Sequence, residues 1–492
     1  MNKVYLVGGG PGDPELITVK GRRVLRRADT VLYDHLAPEA LLELAPKGAE
    51  RIYVGKKKAV HSYSQEDICR MMIERWRAGR TVVRLKGGDP FLFGRGGEEA
   101  QALAEAGVAF EVVPGVTAPL GIAAYSGVPL THREHTSVVT FVTGHEVAAI
   151  DWARVGHAET LVIFMGLTTF GEIARELIAH GRAPQTPAIA VRWGTRADQE
   201  TLVGTLADLP GRIAREGLRP PATVIVGEVV RLREKLNWFE RLPLYCRRVV
   251  VTRPREQAGE LSARLRSLGA TVVELPAIEI RPPADPSPLE EALARLPDYD
   301  WVLFTSANGV RFFLERLDAS SGDLRRLRAR ICAIGPATRA ALERVHLKVD
   351  LTPPEYVAES LVEAFSRFDL TGRRILLPRA AVARDLIPSE LGRRGARVDV
   401  VEAYRTVAPE DLGARAREAL VGTGNGWITF TSSSTVENLV AAAGRGILDG
   451  VRVASIGPVT TATARRHGIA VTAEARSYTV DGLVEAILAH TG

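Results

Sequence analysis

The second half of the chain contains an internal repeat, which limits the folds open to it more than any other feature of the sequence. FTSANGV at Phe304 returns as FTSSSTV at Phe430, and IGPAT at Ile334 returns as IGPVT at Ile456. In each copy short apolar runs alternate with helical patterns, which is typical of parallel α/β sheets. We therefore expect two similar α/β lobes within residues 249–492, with a cleft between them.

Two loops rich in glycine and proline dominate the first half. Residues 8–18 read GGGPGDPELIT, directly after an apolar run, and residues 85–99 read LKGGDPFLFGRGGEE. Glycine lets the backbone come close to a ligand, and proline stiffens the turns around it. Ligands of α/β proteins usually bind at such strand–loop–helix edges. These loops are therefore the leading candidates for a ligand site.

The first loop lacks the spacing of a dinucleotide-binding fingerprint. That fingerprint has glycines at G-x-G-x-x-G and opens directly into a helix that holds a pyrophosphate. Here Gly10 runs into Pro11, and Asp13 occupies the place where a phosphate would lie. The sequence favours a ligand without phosphates.

The chain has 492 residues, which is long enough for two or three domains. We predict domains at residues 1–240 and 249–492 with a linker at 241–248, because an amphipathic stretch there ends in a proline break. The net charge of +6 is spread over both halves, without the basic face and aromatic residues typical of nucleic-acid binding. The sequence contains neither an apolar run long enough for a bilayer nor a signal peptide.

The cysteines and histidines give little sign of a metal. Cys69, Cys246 and Cys332 lie far apart and form no Cys-x-x-Cys pair, which argues for the cytoplasm and against structural zinc. His132 and His135 in THREH could be a metal-binding pair, but the sequence shows no pattern for a third ligand nearby. We expect a solvated or substrate-facing loop there, and no metal.

Five motifs follow one another over about residues 1–240, and together they resemble uroporphyrinogen-III C-methyltransferase. Besides the two loops, they are EVVPGVTA (111–118), GVPLTHR (127–133) and FVTGH (141–145). Gly9 and Ser126 depart from this family, which often has Ala at both places. The resemblance implies a two-lobed α/β domain that moves methyl groups from S-adenosylmethionine to two pyrrole carbons of uroporphyrinogen III, giving precorrin-2. It also implies a homodimer formed through this half.

The same resemblance assigns roles to single residues. Asp34 matches the family's proposed base, Lys56 its proposed proton donor, and Arg84 an arginine thought to engage substrate. Such roles suit these groups, because carbon methylation of a pyrrole releases a proton and guanidinium groups bind carboxylates. From the residues alone, Asp34 and Asp89 could be turn residues, and Lys56 one of a solvated run. The residues implied for cofactor binding are Pro11, Gly87, Gly88, Asp89, Leu92, Thr117, Ala118, Met165, Gly194 and Ala222.

The second half resembles uroporphyrinogen-III synthase over about residues 247–492. The paired FTS and IGPxT turns carry this resemblance, with EAYRTV at residues 402–407 and YTVDGLVEAI at 478–487. It implies that hydroxymethylbilane loses its terminal hydroxyl, aided by Tyr404, and closes with its last pyrrole inverted. From the residues alone, Tyr404 could be a packing tyrosine and the hydroxyls plain helix caps. The residues implied to hold substrate carboxylates are Thr305, Ser306, Thr338, Ser432 and Thr460.

The order of the two resemblances predicts a fusion of consecutive enzymes of sirohaem and cobalamin synthesis. Its expected partners are the tetrapyrroles hydroxymethylbilane and uroporphyrinogen III. Two alternatives stay open. The second half could bind a tetrapyrrole without catalysis, or the first half could methylate a later precorrin.

Overall fold

The computed structural model describes residues 2–55, 63–381, 385–420 and 426–491. Two compact units divide the chain, one formed mainly by Met1–Arg248 and the other mainly by Val249–Ala263 with Val272–His490. Each unit contains two five-stranded sheets. In the described part of the chain, every helix is too short or too polar to cross a membrane.

The first sheet of the first unit is parallel and has the order β3-β2-β4-β1-β5. Because Val7 pairs with Leu85, the two glycine loops leave neighbouring strands at the same edge of the sheet. Helices alternate with the strands, as parallel pairing requires. The elements are β1 (Val4–Gly8), α1 (Val19–Leu25), β2 (Thr30–Tyr33), β3 (Glu50–Tyr53), α2 (Gln65–Arg77), β4 (Val82–Lys86), α3 (Gly96–Glu105) and β5 (Phe110–Val113).

The second sheet of this unit is mixed and has the order β6-β7-β10-β8-β9. Only β6 and β7 pair in parallel, and the other pairs are antiparallel. Helix α4 connects the sheets and ends at Gly127, whose φ of 70° suits a helix C-terminus. The elements are α4 (Ala118–Ser126), β6 (Val139–Thr143), α5 (Trp152–Val155), β7 (Thr160–Phe164), α6 (Phe170–Ala179), β8 (Pro187–Arg192), β9 (Glu200–Thr205), α7 (Leu209–Glu216), β10 (Ala222–Val226) and α8 (Arg233–Leu236).

The second unit has sheets of the order β12-β11-β18-β19-β20 and β13-β17-β16-β14-β15. Its elements are β11 (Arg248–Val251), α9 (Arg255–Ser267), β12 (Thr271–Glu274), β13 (Glu279–Arg281), α10 (Ser287–Ala294), β14 (Trp301–Phe304), α11 (Ala307–Ala319), β15 (Arg330–Ala333), α12 (Pro336–Glu343), α13 (Ala358–Ala364), β16 (Arg374–Ala380), α14 (Leu386–Arg393), β17 (Arg397–Val407), α15 (Leu412–Leu420), β18 (Trp427–Phe430), α16 (Ser433–Ala443), β19 (Arg452–Ser455), α17 (Pro458–Arg466), β20 (Ala473–Glu474) and α18 (Val480–Leu488).

The internal repeat corresponds to equivalent strands of these two sheets. The FTS loops follow β14 and β18, and the IGPxT turns follow β15 and β19. Apart from the antiparallel β13, the strand pairs of both sheets for which a register is resolved are parallel. The predicted α/β fold with two repeated lobes is thereby confirmed.

Candidate functional site: a glycine-lined cavity and a hydroxyl-lined sheet edge

A cavity of about 500 Å³ lies in the first unit, where the loops after β1 and β4 face the second sheet. All ten residues expected to bind a cofactor line it, and so do Asp34 and Arg84. The first sheet contributes Gly87 and Gly88, and the second contributes Gly194 and Ala222. The structure thus brings twelve of the predicted residues to one place. Lys56 lies outside the described residues.

Close backbone packing explains the glycines of these loops. Gly88 N–H donates to the Gly10 carbonyl at 2.7 Å, which joins the two loops as a short β-bridge. A Cβ on Gly115 would lie 2.2 Å from the Gly88 carbonyl oxygen, and one on Gly8 would lie 2.6 Å from the same atom. Any larger residue would push these loops apart and change the cavity wall.

Several residues of the lining have strained backbone. Phe93, Arg95, Met165 and Trp193 have φ between 49° and 57°, in the left-handed region that favours glycine. Such a conformation costs on the order of 1–3 kcal/mol per residue and is concentrated at ligand sites. The strain indicates that the lining is shaped for a ligand, and no sequence pattern reveals it.

Asp89 ties two cavity loops together. Its Oδ1 accepts from Phe91 N–H at 2.8 Å, and its Oδ2 accepts from Gly115 N–H at 2.9 Å. The first bond is that of an Asp-Pro turn, and the second holds the loop that leads into α4. Asp89 therefore fixes the shape of the cavity wall, whether or not it also contacts a ligand.

A buried ionic cluster borders the cavity. Arg84 and Lys86 share one face of β4 and are 4% and 5% exposed, while Glu99 on α3 is 0% exposed. Glu99 Oε1 accepts from Arg84 Nε at 3.2 Å, from Lys86 Nζ at 3.0 Å and from Gln65 Nε2 at 3.0 Å. One buried carboxylate therefore compensates two buried cations.

Arg84 connects this cluster to Asp34. Its Nη2 donates to Asp34 Oδ2 at 3.0 Å, and its Nη1 donates to the Leu85 carbonyl at 3.1 Å. Asp34 Oδ1 also accepts from Leu36 N–H at 3.0 Å, which is the turn contact that the sequence left open. Every nitrogen of the Arg84 guanidinium thus has a protein partner. This geometry makes Arg84 an anchor for Asp34, and its contact with substrate stays a prediction.

Lys86 is a cavity residue that the sequence analysis missed. Burial lowers the pKa of its ammonium, the Arg84 charge lowers it further, and Glu99 acts in the opposite direction. A signal was present, because β4 reads VVRLK and charges two residues apart in a strand share a face. Such a pair within an otherwise apolar strand indicates a buried polar site.

The THREH loop carries a third potential metal ligand. Ligand atoms of His132, Glu134 and His135 all lie within 4.8 Å of one another, on a turn in which the His132 carbonyl accepts from two backbone N–H groups. Glu134 and His135 are exposed, and His132 Nδ1 accepts from Glu134 N–H at 3.3 Å. The expectation that no third ligand lies nearby was therefore wrong, since this turn brings Glu134 beside the histidines. The absence of a bound metal stays a prediction.

In the second unit, the predicted hydroxyl residues lie at the carboxyl ends of strands. Ser306 follows β14 and accepts from Gly309 N–H at 3.0 Å, while Ser432 follows β18 and accepts from Thr435 N–H at 3.4 Å. Thr338 and Thr460 lie in the first turns of α12 and α17 and are buried, and Thr305 directly precedes Ser306. The helix-cap interpretation therefore describes both serines, and their contact with carboxylates stays a prediction.

Tyr404 meets one of these hydroxyls. Its Oη lies 3.0 Å from Ser306 Oγ, and its ring stacks on Phe312 with centroids 5.9 Å apart. Tyr404 is 9% exposed. Its ring is buried by packing against Phe312, and its hydroxyl has Ser306 as a hydrogen-bond partner. The structure thereby places the expected proton donor beside an expected substrate-binding residue.

Comparisons with known proteins divide the chain in the same order. Residues 3–210 match the tetrapyrrole (corrin/porphyrin) methylases, and residues 259–485 match uroporphyrinogen-III synthase HemD. The porphyrin biosynthesis protein HemD of Ruminiclostridium josui is 35% identical over 491 residues, covering 99% of this chain and 97% of that protein. Siroheme synthase of Chromobacterium violaceum is 52% identical over 242 residues, which are 48% of this chain. The match covers 52% of that enzyme, so the chain spans about half of its length.

Two solved structures are similar to parts of the chain. Uroporphyrin-III C-methyl transferase of Thermus thermophilus, complexed with S-adenyl homocysteine, is 44% identical. The match covers 47% of this chain and 100% of that one, with a TM-score of 0.41. The wild-type uroporphyrinogen III synthase of Thermus thermophilus is 24% identical over 49% of this chain and 97% of that one, with a TM-score of 0.30.

Proposed function

Since this chain belongs to the family of the porphyrin biosynthesis protein HemD, with a tetrapyrrole methylase domain followed by a uroporphyrinogen-III synthase domain, we propose that it catalyses two consecutive steps of tetrapyrrole synthesis. The predicted order of methylase and synthase is thereby confirmed. The second half closes hydroxymethylbilane to uroporphyrinogen III, and the first half methylates that product twice to give precorrin-2. The domain limits 1–240 and 249–492 and a homodimer formed through the first half are part of this proposal, as is action in the reducing cytoplasm.

The observation that carries the methylase assignment is the convergence of ten expected residues on one cavity. We assign this cavity to S-adenosylmethionine, which supplies its methyl group as an electrophile on a sulfonium. Each arginine and lysine of the described lining is paired with a carboxylate, Arg84 and Lys86 with Glu99, and Arg95 with Glu98 at 2.6 Å. No arginine or lysine of this described lining is therefore left unpaired to compensate the charge of a phosphate, which suits a donor that carries none.

Polar groups of the loops suit the remaining parts of this ligand. Thr117 begins α4 without making a side-chain cap, so its hydroxyl is available to a ligand. The backbone of Gly87 and Gly88 lies in the wall without any side chain to cover it. Hydroxyl and amide groups of this kind can bind the ribose, ammonium and carboxylate of the donor.

Asp34 is the residue that we assign to the proton. Methylation forms a carbon–carbon bond, breaks the sulfur–methyl bond and leaves a pyrrole proton to be removed. The Asp34 side chain is 21% exposed and reaches the cavity, and Arg84 fixes its orientation through one oxygen. Each carboxylate oxygen keeps a second lone pair, which can accept the proton from the substrate.

Tyr404 and Ser306 are the groups that we assign to ring closure in the second half. Tyr404 Oη donates its proton to the terminal hydroxyl of the bilane, which leaves as water. The new carbon–carbon bond then closes the ring, and the proton released from the attacked pyrrole carbon restores the tyrosine hydroxyl. Ser306, 3.0 Å away, orients the tyrosine hydroxyl. Correct folding of the bilane supplies much of the acceleration, and Thr305, Thr338, Ser432 and Thr460 hold its carboxylates.

One incubation tests the whole proposal. The full chain is given hydroxymethylbilane with and without S-adenosylmethionine, and the products are identified by mass and isomer. We expect ring-III product without the methyl donor and a dimethylated product with it. Spontaneous ring-I product would instead make the second half a binding module. Methylation of a later precorrin alone would move the first half to another substrate.

A further inference from the structure

The residues assigned so far to bind substrate in the synthase half are all uncharged. They are hydroxyl residues, whereas a linear tetrapyrrole carries many carboxylates. Guanidinium groups bind carboxylates through paired charge-assisted hydrogen bonds, which neutral hydroxyls cannot replace. Arginines at equivalent positions of the two lobes would supply the charge that such a substrate requires.

Several arginines recur at equivalent positions of the repeat, and one of them lies near the carboxyl end of its strand in each lobe. VVVTRP places Arg253 two residues beyond Val251, the last paired residue of β11, and ILLPRA places Arg379 at the end of β16. The sheets correspond strand for strand, because β12-β11-β18-β19 and β17-β16-β14-β15 have the same pattern of connections. Arg253 and Arg379 thus occupy equivalent places.

Both places lie where ligands bind in sheets of this type. From β11 the chain passes to β12 on one side, and β18 lies on the other side; β16 is flanked by β17 and β14 in the same way. The strand order therefore reverses beside β11 and beside β16. In open α/β sheets, ligands occupy the crevice outside the carboxyl ends of strands at such a reversal.

The register brings each arginine level with a Thr-Ser pair. Leu376 pairs with Val302, so Arg379 and Thr305 each lie three residues further along neighbouring strands. Val251 pairs with Thr429, so Arg253 and Thr431 each lie two residues further. In both lobes an arginine therefore lies level with the hydroxyls that lead into a helix.

The two arginines differ in their partners. Arg379 Nη2 donates to Asp385 Oδ1 at 2.6 Å, and Asp385 itself is 75% exposed. Arg253 has no ion-pair partner among the described residues, and its buried Nε has no hydrogen-bond partner. Burial lowers the pKa of the Arg253 guanidinium, and Glu260 only partly opposes this. A half-buried charge without a partner destabilises the free protein and suits an anionic ligand.

We propose that Arg253 and Arg379 form a repeat-related pair of carboxylate-binding residues, one in each lobe, that grip the linear tetrapyrrole during ring closure. This inference rests on the synthase function proposed above. It makes the substrate's acidic side chains, rather than its pyrrole rings, the groups that each lobe recognises. The two sheets present these cations from equivalent strands, because the repeat duplicated the position along with the fold.

The test measures KM and kcat for hydroxymethylbilane, together with Tm, in Arg253→Met and Arg379→Met of the full chain. Loss of one charge-assisted contact should raise KM about tenfold or more in each variant. Arg253→Met should leave Tm unchanged or raise it, because the uncompensated charge is gone, whereas loss of a structural arginine would lower Tm. Arg253→Lys should restore part of the lost affinity.

Arg417→Met and Arg393→Met, on exposed parts of α15 and α14, are matched controls and should behave as wild type.

The outcomes separate this inference from the function beneath it. Ring-III product from the wild type with unchanged KM in both Met variants would overturn the arginine pair alone. Ring-I product from the wild type would overturn the synthase function and the inference with it. Should Arg253→Met fail to fold, Arg253→Gln keeps a polar end on the side chain without the charge, and an unchanged KM in that variant would contradict the proposal equally.

Discussion

The two units place their charged groups in opposite ways. In the first unit, Glu99, Arg84 and Lys86 are buried together beside one cavity between unlike sheets. In the second, arginines and hydroxyls are divided between two sheets that repeat the same connections. A site with unlike walls depends on a few residues that cannot be exchanged. A repeated site distributes its contacts, so each residue contributes less. A fold that contains a repeat should therefore lose less activity on the change of one site residue than a fold whose site lies between two unlike sheets.

Glu99→Gln should have the largest effect, because it tests the concentrated cluster directly. It leaves Arg84 and Lys86 buried with a neutral amide in place of their shared carboxylate. We expect the free energy of unfolding to fall by about 3 kcal/mol. Urea denaturation of the full chain measures this change.

The matched control is Glu105→Gln, at the exposed end of the same helix. Glu105 accepts a hydrogen bond from Gln101 at the surface only. The free energy of unfolding of this variant should therefore stay within about 0.5 kcal/mol of that of wild type. Equal stability of the two variants would show that the cluster carries no special energetic weight, and the contrast between the units would disappear.

Gly115→Ala should come next, because it tests whether backbone contact shapes the cavity. The added Cβ would lie 2.2 Å from the Gly88 carbonyl oxygen and 2.7 Å from Gly8 Cα. These loops must then separate, which misplaces the methyl donor and should reduce methyl transfer about a hundredfold. Synthase activity should not change, because Gly115 belongs to the first unit.

Gly97→Ala is the control for this substitution. A Cβ on Gly97, in the first turn of α3, would meet nothing within 4 Å. Calorimetric titration with S-adenosylmethionine should give the wild-type affinity for Gly97→Ala and strongly weakened binding for Gly115→Ala. Wild-type affinity in both variants would show that the close backbone contact among Gly8, Gly88 and Gly115 does not determine the shape of the cavity.

The sequence predicted the parts of these sites that depend on local chain geometry. The glycine loops could be found because glycine and proline have a local meaning wherever they occur, and the repeat because its motifs return at a fixed spacing. The ten cavity residues came from the resemblance to a known family. Glu99 and Gln65 were missed because their contacts join different elements: Glu99 accepts from Lys86, and Gln65 donates to Glu99. The strained backbone at Met165 was missed because a positive φ in a residue other than glycine leaves no compositional trace.

The same limit explains why Glu134 and the partners of Asp89 were not foreseen. Glu134 joins the two histidines only through the geometry of its turn, and the second oxygen of Asp89 is occupied by a loop 26 positions further along the chain. Sequence reasoning finds residues whose role follows from residue type and local pattern. It misses contacts that the folded backbone makes, whether within one turn or between distant loops.

Tyr404→Phe sharpens the comparison from the side of the second unit. It removes the hydroxyl that contacts Ser306 at 3.0 Å and keeps the ring stacked on Phe312. We expect the rate of ring-III formation to fall about tenfold. The loss is modest because the site accelerates the reaction mainly by folding its substrate, and one proton donor contributes only part of the acceleration. Tm should stay near wild type.

Tyr299→Phe is the matched tyrosine in the same lobe. Its hydroxyl donates to Asp399 at 2.6 Å, whereas that of Tyr404 meets Ser306, so this variant should lose some stability and keep its rate. A rate loss equal to that of Tyr404→Phe would mean that both act through packing, and a wild-type rate in Tyr404→Phe would remove that residue from the mechanism.

Glu50→Gln gives the smallest expected effect and asks whether concentrated charge matters only when it is buried. Glu50 accepts from Arg75 at 3.0 Å and from Arg80 at 2.7 Å, so it too serves two cations, but its side chain is 37% exposed. The hydrogen bond from Arg75 lowers the pKa of the Glu50 carboxyl, and burial partly opposes this.

The folded protein therefore binds the Glu50 proton less readily than the unfolded chain does. The resulting stabilisation is present above the ordinary pKa of 4.5 and is lost as pH falls through the lowered pKa. Solvent screening limits it to about 0.5 kcal/mol at neutral pH. Urea titrations of wild type and variant from pH 7 to below pH 4 should therefore converge at the acid end, while the loss from Glu99→Gln at neutral pH should be several times larger. A neutral-pH loss for Glu50→Gln as large as that for Glu99→Gln would show that the number of cations, and not their burial, sets the strength of such clusters.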